Sequence, residues 1–139
     1  KLFLGKKDYQ QLNVLKAMVK KEGFALDVIG VPTQRASSGL ALSSRNALLS
    51  EEGRARASQI YEALQCAKAS ALYGDGPDMA CAQGKDILQS AEGIEEEYFV
   101  IANRHSMSVN EVGNPEDWVV FCAAHVEGVR LIDNVEVFD

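Results

Sequence analysis

The spacing of apolar positions changes along this chain, and each change marks an element. Leu2, Phe3 and Leu4 form a short continuous run stopped by Gly5, the form of a buried strand at its last turn. From Asp8 onward Leu12, Leu15 and Val19 recur at helical spacing, with Lys16, Lys20 and Lys21 on the wet side near the negative end of the helix dipole. Asp8 is placed to accept from the first-turn amides with Gln11 as its capping-box partner, and Gly23 is placed to stop the helix. Phe24 to Val31 reads as a second strand, with Val28, Ile29 and Val31 predicting cover on both faces. Strand, helix and strand in succession predict a βαβ unit with parallel strands. A binding site would then lie beyond their carboxyl ends, which Gly5 and Pro32 mark.

Pro32 to Leu49 has no period, many serines and only two charges, Arg35 and Arg45. A loop of this length is usually functional or disordered, and the small residues and serines from Gln34 to Leu49 predict weak packing and mobility without ligand. Ser50 then caps a helix with Glu51 and Glu52 in its first turn and Ile60, Leu64, Ala67 and Ala71 as its buried stripe. Gly74-Asp75-Gly76 breaks it, and Pro77 opens another helix carrying Met79, Ala80, Ile87, Leu88 and Ala91 and ending at Gly93. Met79, Cys66 and Cys81 read as packing residues. Beyond Gly93 the β-formers gather: Tyr98 to Ala102, Trp118 to Val126 and Val129 to Phe138 predict strands, the last two joined by the hairpin turn Glu127-Gly128. Glu95, Glu96 and Glu97 read as a solvated strand edge. The fold class expected is α+β, with C-terminal helices on a small antiparallel sheet after a βαβ remnant.

Composition narrows the function classes. The chain has 139 residues, 47% apolar and 24% charged, enough for one compact domain or a small domain with an appendage. A net charge of -6 and no basic run beyond the Lys pairs at 6–7 and 20–21 argue against a nucleic-acid partner. Trp118 to Val126, an uncharged stretch, is about half a membrane span, so no membrane partner is expected. Cys66, Cys81 and Cys122 form no C-x-x-C pair, and His105 and His125 lie far apart, so no zinc spacing exists. The thiols read as reduced and the compartment as cytoplasmic. The chain begins at Lys1 rather than Met, so a piece of a longer protein is expected.

Two loops carry the candidate chemistry. In Gly5-Lys6-Lys7-Asp8, a glycine at a strand end lets a ligand approach the backbone, the helix start offers free amides, and lysines supply point charges for phosphate. In Gly39-Leu40-Ala41-Leu42-Ser43-Ser44-Arg45-Asn46, two hydroxyls and a guanidinium offer donors that suit phosphate oxygens. Taken singly, the first loop reads better as helix capping with solvated lysines, and the second as a Ser-rich connector with an exposed Arg. Following successive parallel strands, they could converge on one polyphosphate. Their residue types suit positioning and charge stabilisation rather than covalent catalysis.

In order and spacing, Gly5-Lys6-Lys7-Asp8-Tyr9-Gln10-Gln11-Leu12, Val28-Ile29-Gly30-Val31-Pro32-Thr33 and Gly39 to Asn46 closely resemble the pantothenate synthetase (pantoate:β-alanine ligase) family. Arg130-Leu131-Ile132-Asp133-Asn134 is similar to that family's C-terminal strand. The resemblance implies an ATP-dependent ligase of the HIGH nucleotidyltransferase superfamily, which forms pantoyl adenylate and then pantothenate, with ATP and Mg2+ as cofactors and pantoate and β-alanine as substrates. It also implies a homodimer for the full-length protein. On this chain, Gly5 and Asp8 would face the ATP ribose, Lys7 the phosphates and Gln11 the pantoate. Thr33, Gln34 and Leu42 would lie near the adenine, and Ser43, Ser44 and Arg45 would form the phosphate-binding loop. Lys6 and Ser38 stand where acidic residues are usual in the family. The family's H-x-G-H signature has no counterpart here, which implies a C-terminal half that is inactive by itself. Residues 1–33 are then expected to be the end of a Rossmann-like nucleotide-binding domain, and 34–139 a C-terminal lid domain. The alternatives are a noncatalytic lid or interaction domain, or another adenylate-forming nucleotidyltransferase.

Overall fold

Residues 1–138 are described by a computed structural model, in which the chain divides into two units, Lys1–Gln34 and Arg35–Asp139. In the first unit, β1 (Leu2–Gly5) and β2 (Val28–Val31) pair in parallel from Leu2 opposite Val28 to Gly5 opposite Val31, with α1 (Tyr9–Glu22) between them in sequence. The predicted βαβ unit is therefore present. Leu12 and Val19 are buried as expected and Tyr9 joins them. Leu12 packs so closely over Gly30 that a Cβ there would stand 2.8 Å from its Cδ2, so a side chain at position 30 would force Leu12 to shift. Gly23 ends α1 in the left-handed region (φ 66°), its N–H donating to the Val19 carbonyl.

Three local expectations are corrected in this unit. Asp8 makes no side-chain cap bond, because a 3-10 turn over Lys6–Asp8 precedes α1 and leaves Asp8 at φ -91°, ψ 59°. The second strand begins at Val28 and not at Phe24, since the chain spends the residues after Gly23 reversing direction, with Leu26 N–H donating to Phe24 O and Leu2 N–H to Asp27 O. Neither strand is buried on both faces: Phe3 is 60% exposed and Val31 38%, because one helix and two strands cannot cover a sheet's second face.

The second unit begins with the loop 35–49 and continues through α2 (Glu51–Tyr73), α3 (Pro77–Ser90), β3 (Ile94–Asn103), β4 (Trp118–Val126) and β5 (Val129–Glu136). The strands form an antiparallel sheet in the order β3-β4-β5. β4 is central and buried along nearly its whole length, which its uninterrupted apolar sequence foreshadows. The helices cover one face. Ala57, Ala63, Ala67 and Ala71 give α2 a buried seam of small side chains beside Ile60 and Leu64. α3 approaches through Gly84, where a Cβ would overlap the Phe99 ring and fall 2.9 Å from the Ala63 carbonyl. α3 ends at Ser90, and Met79 on it is 55% exposed, so it is not the packing residue expected. β3 begins at Ile94, earlier than its β-formers predicted, and is irregular between Glu96 and Tyr98. Two of the three glutamates there have partners: Glu96 stands 3.4 Å from Lys85, and Glu97 pairs with Arg130 at 2.7 Å.

The hairpin turn ties the sheet to α2. Glu127 (φ 51°) and Gly128 (φ 74°) both lie in the left-handed region, the signature of a type I′ turn. The Glu127 carboxylate accepts from the Ser50 N–H at 2.8 Å and the Ser50 hydroxyl at 2.5 Å, while Ser50 Oγ accepts from the Gly53 N–H at 2.9 Å. These bonds hold the Glu127 carboxyl below its ordinary range, the Ser50 hydroxyl contributing most. A group with a depressed native pKa stabilises the fold above its unfolded pKa and stops doing so as pH falls through the native value. Glu127→Gln should therefore lower the urea midpoint at pH 7, and the gap from wild type should close as pH drops below about 4.3. Urea titrations at several pH values check this, and a gap independent of pH would count against the carboxylate cap.

Candidate functional site

The first candidate loop is set by the register of the parallel pair. Because Gly5 and Val31 are partners at the ends of β1 and β2, the segments carrying Lys7 and Asp8 and carrying Thr33 and Gln34 leave the sheet at the same edge. Lys7 is half-buried and Asp8 exposed at the start of α1. With Asp8 not capping, Gln11, one turn on and exposed, is not held in the reciprocal cap its position suggested. Lys6 lies with its stem against Gly30, so part of its role is packing.

The second candidate loop belongs wholly to the second unit, and it is not weakly packed. Leu40, Ala41 and Leu49 are buried. Arg35 and Ala41 form a β-bridge around a tight turn in which the Gly39 N–H donates to the Ala36 carbonyl. Ser44–Leu48 is a short 3-10 helix, capped by Ser43, whose Oγ accepts from the Arg45 N–H at 3.2 Å. Accepting that bond leaves the Ser43 hydroxyl proton available to a ligand. Asn46 secures the loop internally by donating to the Ala41 carbonyl, and Arg54 from α2 donates to the Leu49 carbonyl. Leu42 is 54% exposed, and Ser44 and Arg45 are exposed too.

Arg45 and Arg35 differ in how fully they are engaged. The Arg45 guanidinium makes one hydrogen bond, from Nη1 to the Arg130 carbonyl at 2.9 Å, and the residue is exposed. Arg35 is saturated. Its Nη1 donates to Asp133 Oδ2 at 2.5 Å and to the Gly39 carbonyl at 3.1 Å, and its Nη2 to Asp133 Oδ1 at 3.0 Å and the Asn134 carbonyl at 3.3 Å. The same guanidinium lies 4.0 Å from the Tyr61 ring centre on α2. Sequence reasoning passed over Arg35, Tyr61 and Asp133 as functional residues. A signal was present: a carboxylate within the apolar run Leu131-Ile132-Asp133 needs a partner, and the loop offers only two cations.

No thiolate nucleophile is supplied by the buried cysteine, because burial pushes the Cys122 thiol up to about 12; burial also raises Cys81. His105 is exposed and sits 3.2 Å from Asp117. Among the described residues no group of three or more His, Cys, Asp or Glu could hold a metal ion, and no helix is long and apolar enough to cross a membrane. The arrangement offers cations, hydroxyls and backbone amides, which is chemistry for binding and stabilising anions.

Comparison with known proteins points the same way. The family model described as Pantoate-beta-alanine ligase matches residues 1–136. Pantothenate synthetase of Thermus thermophilus is 38% identical over 140 residues, 98% of this chain and 49% of the relative. That of Pseudomonas putida is 41% identical over 132 residues, 94% of this chain and 45% of the relative. A crystal structure of the Thermus thermophilus pantothenate synthetase superposes with a TM-score of 0.91 at 36% identity, covering 99% of this chain and 49% of that one. The pantoate-beta-alanine ligase of Francisella tularensis, solved in complex with beta-gamma ATP and beta-alanine, gives 0.61 at 30% identity, covering 98% of this chain and 43% of that one. The chain spans about half the length of the curated relatives it matches.

The turn that starts the second loop is open to a direct test. Gly39 has φ 87°, and a Cβ there would overlap the Tyr61 ring. Gly39→Ala combines left-handed strain with a clash and should destabilise the chain by about 1–3 kcal/mol. Denaturant unfolding measures it; an unchanged midpoint would show that the turn relaxes freely.

Proposed function

Because the chain belongs to the pantoate-beta-alanine ligase family, we propose that it forms the C-terminal part of an ATP-dependent ligase that joins pantoate to β-alanine. The observation that carries this reading is the placement of three family motifs: Gly5 to Leu12 and Val28 to Thr33 at one edge of a parallel pair, and Gly39 to Asn46 fastened to a separate antiparallel sheet. In this reading residues 1–33 are the end of a Rossmann-like nucleotide-binding domain, and 34–139 form its C-terminal lid.

The reaction has two displacements. A carboxylate oxygen of pantoate bonds to the α-phosphorus of ATP as the bond to the β-phosphate oxygen breaks, giving pantoyl adenylate and pyrophosphate. The β-alanine amine then attacks the acyl carbon, loses a proton, and AMP departs with the bonding electron pair. Negative charge shifts onto departing pyrophosphate in the first step, so Lys7 and Arg45 stabilise the transition state more than the ground state. Ser43 and Ser44 donate hydroxyl protons to phosphate oxygens. Gly5 and Asp8 face the ribose, with Asp8 as the acceptor for its hydroxyls. Thr33, Gln34 and Leu42 border the adenine, and Gln11 orients pantoate. Mg2+ would be held by the nucleotide's own phosphate oxygens, since no cluster of carboxylates among the described residues could hold it, and would supply neutralisation of phosphate charge.

The test uses the whole ligase in which this chain is joined to the remainder of its reading frame. ATP-dependent formation of pantothenate with release of AMP and pyrophosphate is expected. Arg45→Ala should lower the rate of adenylate formation about 10²- to 10³-fold, the scale of one lost oxyanion-type donor. A pyrophosphate-release assay measures it, and wild-type turnover by Arg45→Ala would remove that residue from the site.

A further inference from the structure

β5 is an edge strand, and an edge strand presents unpaired carbonyls to its surroundings. On this edge the carbonyls of residues 130 and 134 accept from Arg45 and Arg35, one guanidinium near each end of the loop 35–49. Four residues of strand separate those carbonyls by roughly 13 Å. The loop is thus laid along the sheet edge and fastened at two points of unequal strength. The Arg45 point is a single exposed hydrogen bond. The Arg35 point is a bidentate ion pair with Asp133, 5% exposed, closed over by Tyr61 and tied through the Gly39 carbonyl to the turn itself.

The geometry points to Arg35, held between Asp133 and Tyr61, as the positioning residue of the ligase: it fixes the register of the loop along β5 and so presents Ser43, Ser44 and Arg45 to the nucleotide phosphates. This rests on the reading that residues 43–45 meet those phosphates. Arg35 is not itself a phosphate ligand, since both its Nη atoms are already engaged twice within the chain. Arg45 complements it by keeping most of its donors free and resting on one carbonyl that it can leave. A lysine at position 35 would retain the charge while losing the fork that grips both carboxylate oxygens and the flat face that stacks on Tyr61.

Two measurements on the whole ligase test this. Arg35→Lys should lower the rate of adenylate formation about tenfold to a hundredfold, the cost of a misplacement near 1 Å, while leaving KM for β-alanine unchanged. In an Arg45→Ala background the same substitution should cost less than it does in the wild type, because one of the three groups it positions is gone. Amide exchange should accelerate across residues 43–49 in Arg35→Lys and stay unchanged in β4. Tyr61→Leu, which keeps the ion pair, should shift both readouts in the same direction by less, and it stands in if Arg35→Lys does not fold. Equal losses in the two backgrounds, or unchanged exchange at 43–49, would overturn the positioning role. A wild-type enzyme that forms no adenylate would instead overturn the functional reading, with the exchange data still deciding whether Arg35 holds the loop.

Discussion

The second unit depends on how one sheet edge is closed. β4 is satisfied on both sides by its neighbours, but β5 has a strand on one side only. Its outward carbonyls need donors, and a loop without regular structure supplies them through arginine side chains instead of a further strand. Guanidinium is suited to this because one group can bond a carbonyl and a carboxylate in the same plane. Arg35 does so at Asn134 and Asp133, and the loop that follows inherits its position from that contact. Removing Arg35 would leave the buried Asp133 carboxylate without its charge partner, which is costly even though Arg35 itself is partly exposed. The pair therefore sets a strong requirement on both positions.

The opposite end of the same strand is fixed by a different device with a similar logic. Glu127 occupies a left-handed turn position that favours glycine or asparagine, and the cost is offset by two hydrogen bonds from Ser50. Those bonds join the β4–β5 turn to the first turn of α2, where negative charge is also favoured by the helix dipole. The segment 35–49 thus runs between two fixed points, the Arg35 contact at its start and the Ser50 cap at its end. Ser43 to Arg45 lie between them, Ser43 half-buried and Ser44 and Arg45 exposed, so the residues with free donors are open to a ligand.

Much of this was legible in the sequence, and what was not has identifiable causes. The βαβ unit, both long helices, the Ser50 cap, the Pro77 start and the Glu127-Gly128 hairpin follow from local signals with short-range mechanisms, and the structure contains them. Asp8 misled because a capping box specifies side chains three residues apart but not the backbone angle that lets them reach. Phe24 to Asp27 misled because residues needed to reverse the chain can be as apolar as a strand. Exposed Phe3 and Met79 misled because apolar character predicts what can be buried, whereas burial needs a neighbouring element to cover it. The loop misled most. Its Ser and small residues signalled weak packing, but its packing comes from Arg35 meeting Asp133 across 98 positions of sequence, a distance over which no local pattern operates.

The distribution of charge ties the fold to the chemistry. The chain carries six more acidic than basic charges, yet the loop from 35 to 49 holds arginines and no carboxylate. Its first arginine is neutralised inside the fold by Asp133, so the loop's uncompensated positive charge is left at Arg45. A cation surrounded by flexible acidic neighbours would be screened before a polyphosphate reached it. Here the nearest bonded group is a backbone carbonyl, a dipole that holds the guanidinium in place without cancelling its charge. Exchanging that carbonyl for a phosphate oxygen trades a neutral acceptor for a charged one, and hydrogen bonds to ionised acceptors are roughly twice as strong. On the proposed reading, the resting contact orients Arg45 while remaining weak enough to yield to a nucleotide, and the strength that keeps the loop in register comes from Arg35 instead.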